Sequence, residues 1–239
     1  MEETFRINKY LSKCGYCSRR EADRLLEKGA VLVNGEQPVL GQCVTATDVV
    51  TVHGTVVSLE EKEVIIAYHK PLGVVCSCRE DLEDSIIHQI HIPQRIYPVG
   101  RLDKDSTGLI LLTNNGELMN QILKGKNMHE KEYVVEVNKP ATKEIFDAME
   151  QGVPILEQMT RPCKVTNRQG KRFHIILTQG LNRQIRRMCN YFGLRVRTLK
   201  RIRIINIELG NLPVGKWRDL TVEETAKLKK MCGLEIEHE

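Results

Sequence analysis

The stretch PVGRLDKDSTGLILLTNNGEL, residues 98–118, holds the side chains best suited to chemistry. Arg101 and Asp103 stand two apart between a Pro-Val-Gly turn and a Thr-Gly turn, and the apolar run Leu109–Leu112 follows. A carboxylate beside a fixed guanidinium stays ionised and can act as a nucleophile or a base. An aspartate at such a turn more commonly caps its own backbone. Against that, Leu102 and Leu109–Leu112 would desolvate the loop that holds Asp103. Asp105 suggests paired carboxylates of the glycosidase kind. Asp105, however, is expected to face away from Asp103, so that the two do not share a site.

Two further segments supply partners. In QGLNRQIRRMCNYFG, residues 179–193, the residues Ile185, Met188 and Cys189 mark one face of a helix. Arg183, Arg186 and Arg187 load its first turns, where cations oppose the helix dipole, so stability gives no reason for them and an anionic partner does. Arg183, at the start, is expected to pair with a catalytic carboxylate, and Arg186 and Arg187 to face phosphates. An ordinary basic surface helix is the alternative. In HEKEYVVEV, residues 129–137, Tyr133 lies on a strand. Most strand tyrosines are packing residues, yet a tyrosine also stacks on a base, worth roughly 1–3 kcal/mol, and its hydroxyl can move a proton.

These groups need a scaffold, and the pattern describes one. Ile7, Tyr10, Leu11 and Cys14 follow helical spacing, and a second helix opens on Ser18 with Glu21 three residues later, a capping box. Short strands around Asn34-Gly35 and His53-Gly54 complete a small unit. SLEEKEV at 58–64 reads as an acidic linker. Beyond it, strand patterns (VIIAYHK, LILLT, KEYVVEV, CKVTN, RFHIILT, LRVRTLKRIRIINIEL) mix with helical ones (GELMNQILKG, TKEIFDAMEQG, and EETAKLKKMCG after a Thr221–Glu224 capping box). Without regular βαβ alternation, this predicts an α+β fold with a mixed or largely antiparallel sheet.

Composition narrows the class. The 239 residues, 41% hydrophobic, suffice for a sizeable core, and no run approaches the ~18 apolar residues of a membrane span. The eight cysteines, among them a lone Cys14-x-x-Cys17, are expected to be reduced thiols in a soluble cytoplasmic protein, with no metal site. Net charge is +5, but residues 158–207 carry thirteen Lys or Arg and no Asp or Glu, leaving 23 basic and 31 acidic residues elsewhere. A basic block inside an otherwise acidic chain is the electrostatic footprint of a polyanion-binding surface, expected to point its charges one way. A second basic group, Arg6, Lys9, Arg19, Arg20 and Arg24, lies off the apolar stripes of the first two helices.

Residues 4–58, through I-N-K-Y-L-S-K-x-G-x-x-S-R-R-E-A-D-R-L-L-x-x-G-x-V-x-V-N-G, resemble the S4 RNA-binding domain. Behind it, G-R-L-D-K-D-S-T-G-L-I-L-L-T-N-N-G, K-E-Y-V-V and G-L-N-R-Q-I-R-R-M stand in an order that resembles the RsuA/RluB/RluE/RluF family of RNA pseudouridine synthases, most closely its RluF branch. The resemblance implies an S4 domain over residues 1–60 and a catalytic domain over 61–239. It implies isomerisation of a uridine in a 23S ribosomal RNA stem-loop, with no metal or other cofactor, by a monomer. A tRNA is left open as a second substrate. By position it makes Asp103 the catalytic aspartate acting at C1′, Tyr133 the residue stacking on the uracil, and Arg183 the partner of Asp103. Arg101 would fill the gap left by the flipped nucleotide. The alternatives are an RluB-like enzyme and a non-catalytic S4-type ribosome-assembly protein.

Because the S4-like segment offers grip and no candidate catalytic group, removing residues 1–60 should weaken RNA binding more than it slows single-turnover chemistry on saturating RNA. Equal affinity with and without the segment would contradict this.

Overall fold

The computed structural model describes residues 3–39, 41–59 and 62–234. Residues 60 and 61 of the expected linker lie outside that set. The chain divides into two compact units, one comprising the chain up to Val64 with 92–96 and 114–116, the other the remainder.

In the first unit, Ile7, Tyr10 and Leu11 are buried on helix α1 (Ile7–Lys13), which packs against α2 (Arg19–Glu27). Ser18 caps α2, its hydroxyl accepting from Glu21 N at 3.2 Å. The expected reciprocal half of the box is replaced, because the Glu21 carboxylate takes a hydrogen bond from Arg24 (3.0 Å). Strand β1 (Phe5–Arg6) pairs with β3 (Cys43–Val44), while β2 (Val31–Val33), β4 (Val50–Val52) and β5 (Thr55–Val57) form an antiparallel ribbon. Phe5, Leu11, Ala22, Val44 and Val50 fill the core between helices and ribbon. Arg6, Lys9, Arg19, Arg20 and Arg24 are all exposed.

The second unit is built on one mixed sheet of nine strands among the described residues. They are β6 (Ile65–Lys70), β7 (Tyr97–Pro98), β8 (Thr107–Thr113), β9 (Lys131–Val137), β12 (Lys164–Gln169), β13 (Arg172–Leu177), β14 (Val196–Ile204), β15 (Ile207–Glu208) and β16 (Trp217–Asp219), with a separate hairpin of β10 (Pro154–Ile155) and β11 (Gln158–Met159). The order is β12-β13-β9-β14-β8-β6-β16, with β15 on β14 and β7 on β8. β14 and β8 run parallel, and the other pairings in this sheet are antiparallel. The expected α+β class with a mixed sheet therefore holds.

Helices α4 (Lys143–Gln151) and α5 (Gln184–Tyr191) cover one half of the sheet, burying Phe146, Met149, Ile185 and Met188 against Val135, Phe173 and Leu199. Helices α3 (Gly116–Leu123) and α6 (Val222–Met231) contribute Leu118, Ile122 and Leu228 to a second core with Leu109, Leu111 and Ile204. The Thr221–Glu224 capping box forms in full, and Glu224 also takes two hydrogen bonds from Arg218 (both 2.7 Å). Among the described residues no helix is long and apolar enough to cross a membrane.

The two halves of the sheet meet where Arg201 of β14 pairs with Gly108 of β8. Gly108 has φ +109°, and a Cβ there would lie 2.2 Å from the Arg201 carbonyl oxygen and 2.5 Å from its nitrogen. A glycine is required on both counts, backbone conformation and space. Gly108→Ala should therefore destabilise the protein by on the order of 3 kcal/mol or more, read as a lowered urea midpoint. An unchanged midpoint would show that the strand junction tolerates separation.

Candidate active site

The loop that delivers Asp103 is a turn. Ser106 N donates to the Asp103 carbonyl (3.0 Å), after which the chain enters β8. Leu102 is buried beneath it, with Cys76 Sγ accepting from Leu102 N (3.3 Å) and donating to Leu102 O (3.4 Å). Gly73 N donates to Lys104 O (2.9 Å), and the Lys104 ammonium reaches Asp84 (2.5 Å), so the 71–85 segment braces the loop from one side. Behind it lies Lys70, fully buried and donating to the carbonyls of Pro71 and Val74 (2.8 and 2.9 Å). Burial lowers the Lys70 pKa against the opposing pull of Cys76, Asp103 and Asp105.

The other side is held by α5. Arg183 is its N-cap and adopts the left-handed conformation (φ 50°, ψ 35°), at a cost of roughly 1–3 kcal/mol for a non-glycine residue. Its guanidinium grips Asp105 with two hydrogen bonds (2.9 and 3.2 Å) and lies 3.7 Å from Asp103. This corrects the sequence expectation twice. Asp105 shares the site: the 103–106 turn holds its carboxylate within reach of Arg183, and even an extended segment would have set residues two apart on one face. Arg183 pairs first with Asp105 and only more loosely with Asp103. Asp103-Lys104-Asp105-Ser106 has the aspartates and serine that favour turns, and that signal could have revealed the geometry.

Arg186 also differs from expectation. Its side chain is only 14% exposed and turns inward, with Nη2 donating to Asp105 O (2.7 Å) and Ser106 Oγ (3.3 Å). Its Nε lies 4.0 Å from the Asp103 carboxylate and has no hydrogen-bond partner among the described residues. It is thus directed at the Asp103 loop rather than outward to phosphates. Arg187 is exposed and folds onto Asn182, donating to its backbone and side-chain oxygens (3.0 and 3.1 Å). Arg101, two residues before Asp103, is exposed.

Burial opposes ionisation of Asp105, but the hydrogen bonds from Arg183 and the charges of Arg186 and Arg183 outweigh it and hold the carboxyl below its usual range. A carboxyl whose folded pKa is depressed contributes stability that is fully present above its unfolded value and lost as pH falls through the folded one. The cluster is therefore intact at neutral pH and weakened only by acid.

Tyr133 stands two strands from the point where this loop enters the sheet. It pairs with Arg201 across β9 and β14, and Arg201 pairs with Gly108 across β14 and β8, which separates their backbones by ~10 Å. The half-buried tyrosine ring packs against the α4–α5 core, with the Arg201 guanidinium 5.9 Å from its centroid. Arg201 is itself buried. Its Nε donates to Leu109 O (2.7 Å), and Nη2 has no hydrogen-bond partner among the described residues. Lys131 lies on the same face of β9, two residues from Tyr133, and burial, with the charge of Arg201, brings its ammonium down to about 8. The sequence reading passed over Lys131, Arg201, Lys70 and Cys76. Strand alternation from Tyr133 pointed to Lys131, but nothing in the run LKRIRI distinguished Arg201 from its basic neighbours.

An aspartate held by arginines on a mixed sheet, in a chain that also carries a two-helix RNA-binding unit, defines an enzyme acting on RNA. Residues 64–191 match the RNA pseudouridylate synthase family and residues 5–37 the S4 domain, and the chain belongs to the RNA pseudouridylate synthases. It is 50% identical over 228 residues to the dual-specificity RNA pseudouridine synthase RluF of Salmonella typhi, covering 95% of this chain and 79% of that one. With the RluF of Escherichia coli K12 it shares 48% over 232 residues, covering 96% and 80%. With the ribosomal large subunit pseudouridine synthase B of Bacillus subtilis 168 it shares 36% over 236 residues, covering 95% and 96%. A crystal structure of a pseudouridylate synthase, 27% identical, superposes with a TM-score of 0.69 over 94% of this chain and 99% of that one.

The inward and outward arginines of α5 should separate experimentally. Arg186→Ala should lower the single-turnover rate on the order of 10²-fold, because the loop it holds loses its position. Arg187→Ala should spare the rate and reduce the slope of log affinity against log salt by up to about one. Paired measurements of both variants that gave the reverse pattern would overturn these assignments.

Proposed function

We propose that this chain isomerises a uridine to pseudouridine in a stem-loop of the large-subunit 23S ribosomal RNA, with Asp103 as the catalytic residue. The observation that carries the reading is the Asp103 carboxylate within 3.7 Å of Arg183 and 4.0 Å of Arg186, on a loop braced from both sides. A protein that only binds RNA has use for exposed cations and none for a carboxylate aimed among them. Large-subunit RNA as substrate is supported by the name of the Bacillus subtilis relative. The dual specificity in the other relatives' names extends the proposal to a second RNA, with tRNA the candidate class.

In this reading the target nucleotide leaves its stack, as chemistry on a paired base requires, and Arg101 fills the space behind it. Asp103 acts at C1′ and the N1–C1′ bond breaks. The uracil turns, C5 bonds to C1′, the C5 proton departs and N1 gains one, so product and substrate have the same composition. Tyr133 lies against the uracil, and its hydroxyl is the candidate for taking the C5 proton. Arg183 and Arg186 hold Asp103 and Asp105 in place. Arg187 and the exposed cations Arg6, Lys9, Arg19, Arg20 and Arg24 meet phosphates. One chain carries both grip and chemistry, so a monomer suffices, working in the cytoplasm on RNA destined for ribosomes.

Asp103→Asn should abolish pseudouridine formation while leaving RNA affinity nearly unchanged, since phosphate contacts carry most of the binding. Carbodiimide-primer extension on ribosomal RNA treated with the purified variant reads the result. Modification near the wild-type rate would remove Asp103 from the mechanism.

A further inference from the structure

The face of α5 that begins at Arg183 continues away from the aspartates. Arg183, Arg187 and Tyr191 recur every four residues and form one stripe along the helix. Together with Arg195 and the turn at 154–156 they line an open groove of about 590 Å³ whose lining, among the described residues, contains no acidic residue. That volume falls within the ~300–1,000 Å³ of sites that hold small organic groups.

Tyr191 is 57% exposed. A single exposed aromatic is ordinary on a protein surface and argues nothing alone. Here three further facts accompany it. Phe192 meets the Tyr191 ring at 86° with centroids 5.0 Å apart, an edge contact that fixes the ring while leaving it exposed. Across the groove Leu156, 42% exposed, is held at φ 50° as a second apolar surface. Four arginines line the groove, and two of them, Arg187 and Arg195, are not engaged by Asp103 or Asp105. A fixed aromatic plane among cations is the chemistry that holds an unpaired base together with its phosphates. A base inside a duplex offers no free face to such a ring, and an acidic peptide would use the arginines but leave the aromatic plane unexplained.

We propose that this groove is a subsite for one unpaired nucleotide near the target uridine, its base stacked on Tyr191 and its phosphates on Arg187 and Arg195. The proposal rests on the RNA-modifying reading above. Eight residues of helix separate Tyr191 from Arg183, about 12 Å along the axis, so the stacked base belongs to a neighbour of the target and not to the target itself. The enzyme would thereby select RNA in which an unpaired nucleotide accompanies the reactive uridine.

The test combines protein variants with altered RNA. Tyr191→Ala should weaken binding of the ribosomal stem-loop about 5- to 150-fold, the range that corresponds to loss of one base–aromatic stack, while Tyr191→Phe should retain wild-type affinity. An abasic residue is then placed at each unpaired position of the RNA in turn. At one position the unmodified protein should lose the same affinity, and there Tyr191→Ala should add no further loss. Because that arm uses the unmodified protein, a folding defect in a variant does not decide it. Wild-type affinity for Tyr191→Ala overturns the subsite, as does a loss that persists at every abasic position, or displacement of Tyr191-dependent binding by an acidic peptide but not by RNA. If the unmodified protein forms pseudouridine while any of these results is obtained, the subsite alone fails. If it forms none on any ribosomal RNA, the proposed function fails whatever Tyr191 does.

Discussion

The architecture of the site depends on the contact of β14 with β8 at Arg201 and Gly108. There the strands run parallel and the backbones approach so closely that a single methyl group would collide with Arg201. This junction joins the half-sheet carrying Tyr133 to the half-sheet carrying the Asp103 loop. The buried Arg201 side chain sits at the junction, bonded to Leu109 O on one strand and facing the Tyr133 ring on another. Separation of the strands there would part the proposed catalytic groups together.

Upon this frame, electrostatics supply orientation more than stability. Arg183 and Asp105 are each about half exposed, and exposed ion pairs are typically worth under ~1 kcal/mol. The left-handed backbone of Arg183 costs at least as much as that pair returns. The arrangement therefore makes sense as positioning: it fixes the 103–106 turn between α5 and the 71–85 segment. Arg186 differs because it is largely buried, and depriving its partners Asp105 O and Ser106 Oγ of a donor costs about 1–3 kcal/mol where such groups are shielded from water.

The basic block of residues 158–207 is not a single surface, contrary to the expectation that its charges point one way. Arg168 bridges Asp147 and Glu150, and Arg203 bridges Glu130 and Glu132, with His174 on the same glutamate. Arg186 and Arg201 serve the site from within. What remains for a polyanion is the exposed set, Arg187 and Arg195 among it. Acidic partners came from outside the block in sequence, which is why counting charges along the chain overstated the free surface.

Much of this protein was determined by local sequence. Apolar spacing defined α1, α2 and α5, composition defined the strands, and Thr221 with Glu224 defined the start of α6, because each of these rests on interactions within a few residues. The candidate carboxylate, its arginine-rich helix and the strand tyrosine were visible as motifs for the same reason. The choice of partners was decided only by the tertiary structure. Asp105 joined the site because Arg183 gripped it across 78 residues of chain. Arg201 stood out from its basic neighbours only once β14 was inserted between β9 and β8. Pairing across a sheet and burial at a strand junction depend on contacts between distant segments, and the identity of a residue and its immediate neighbours does not encode them.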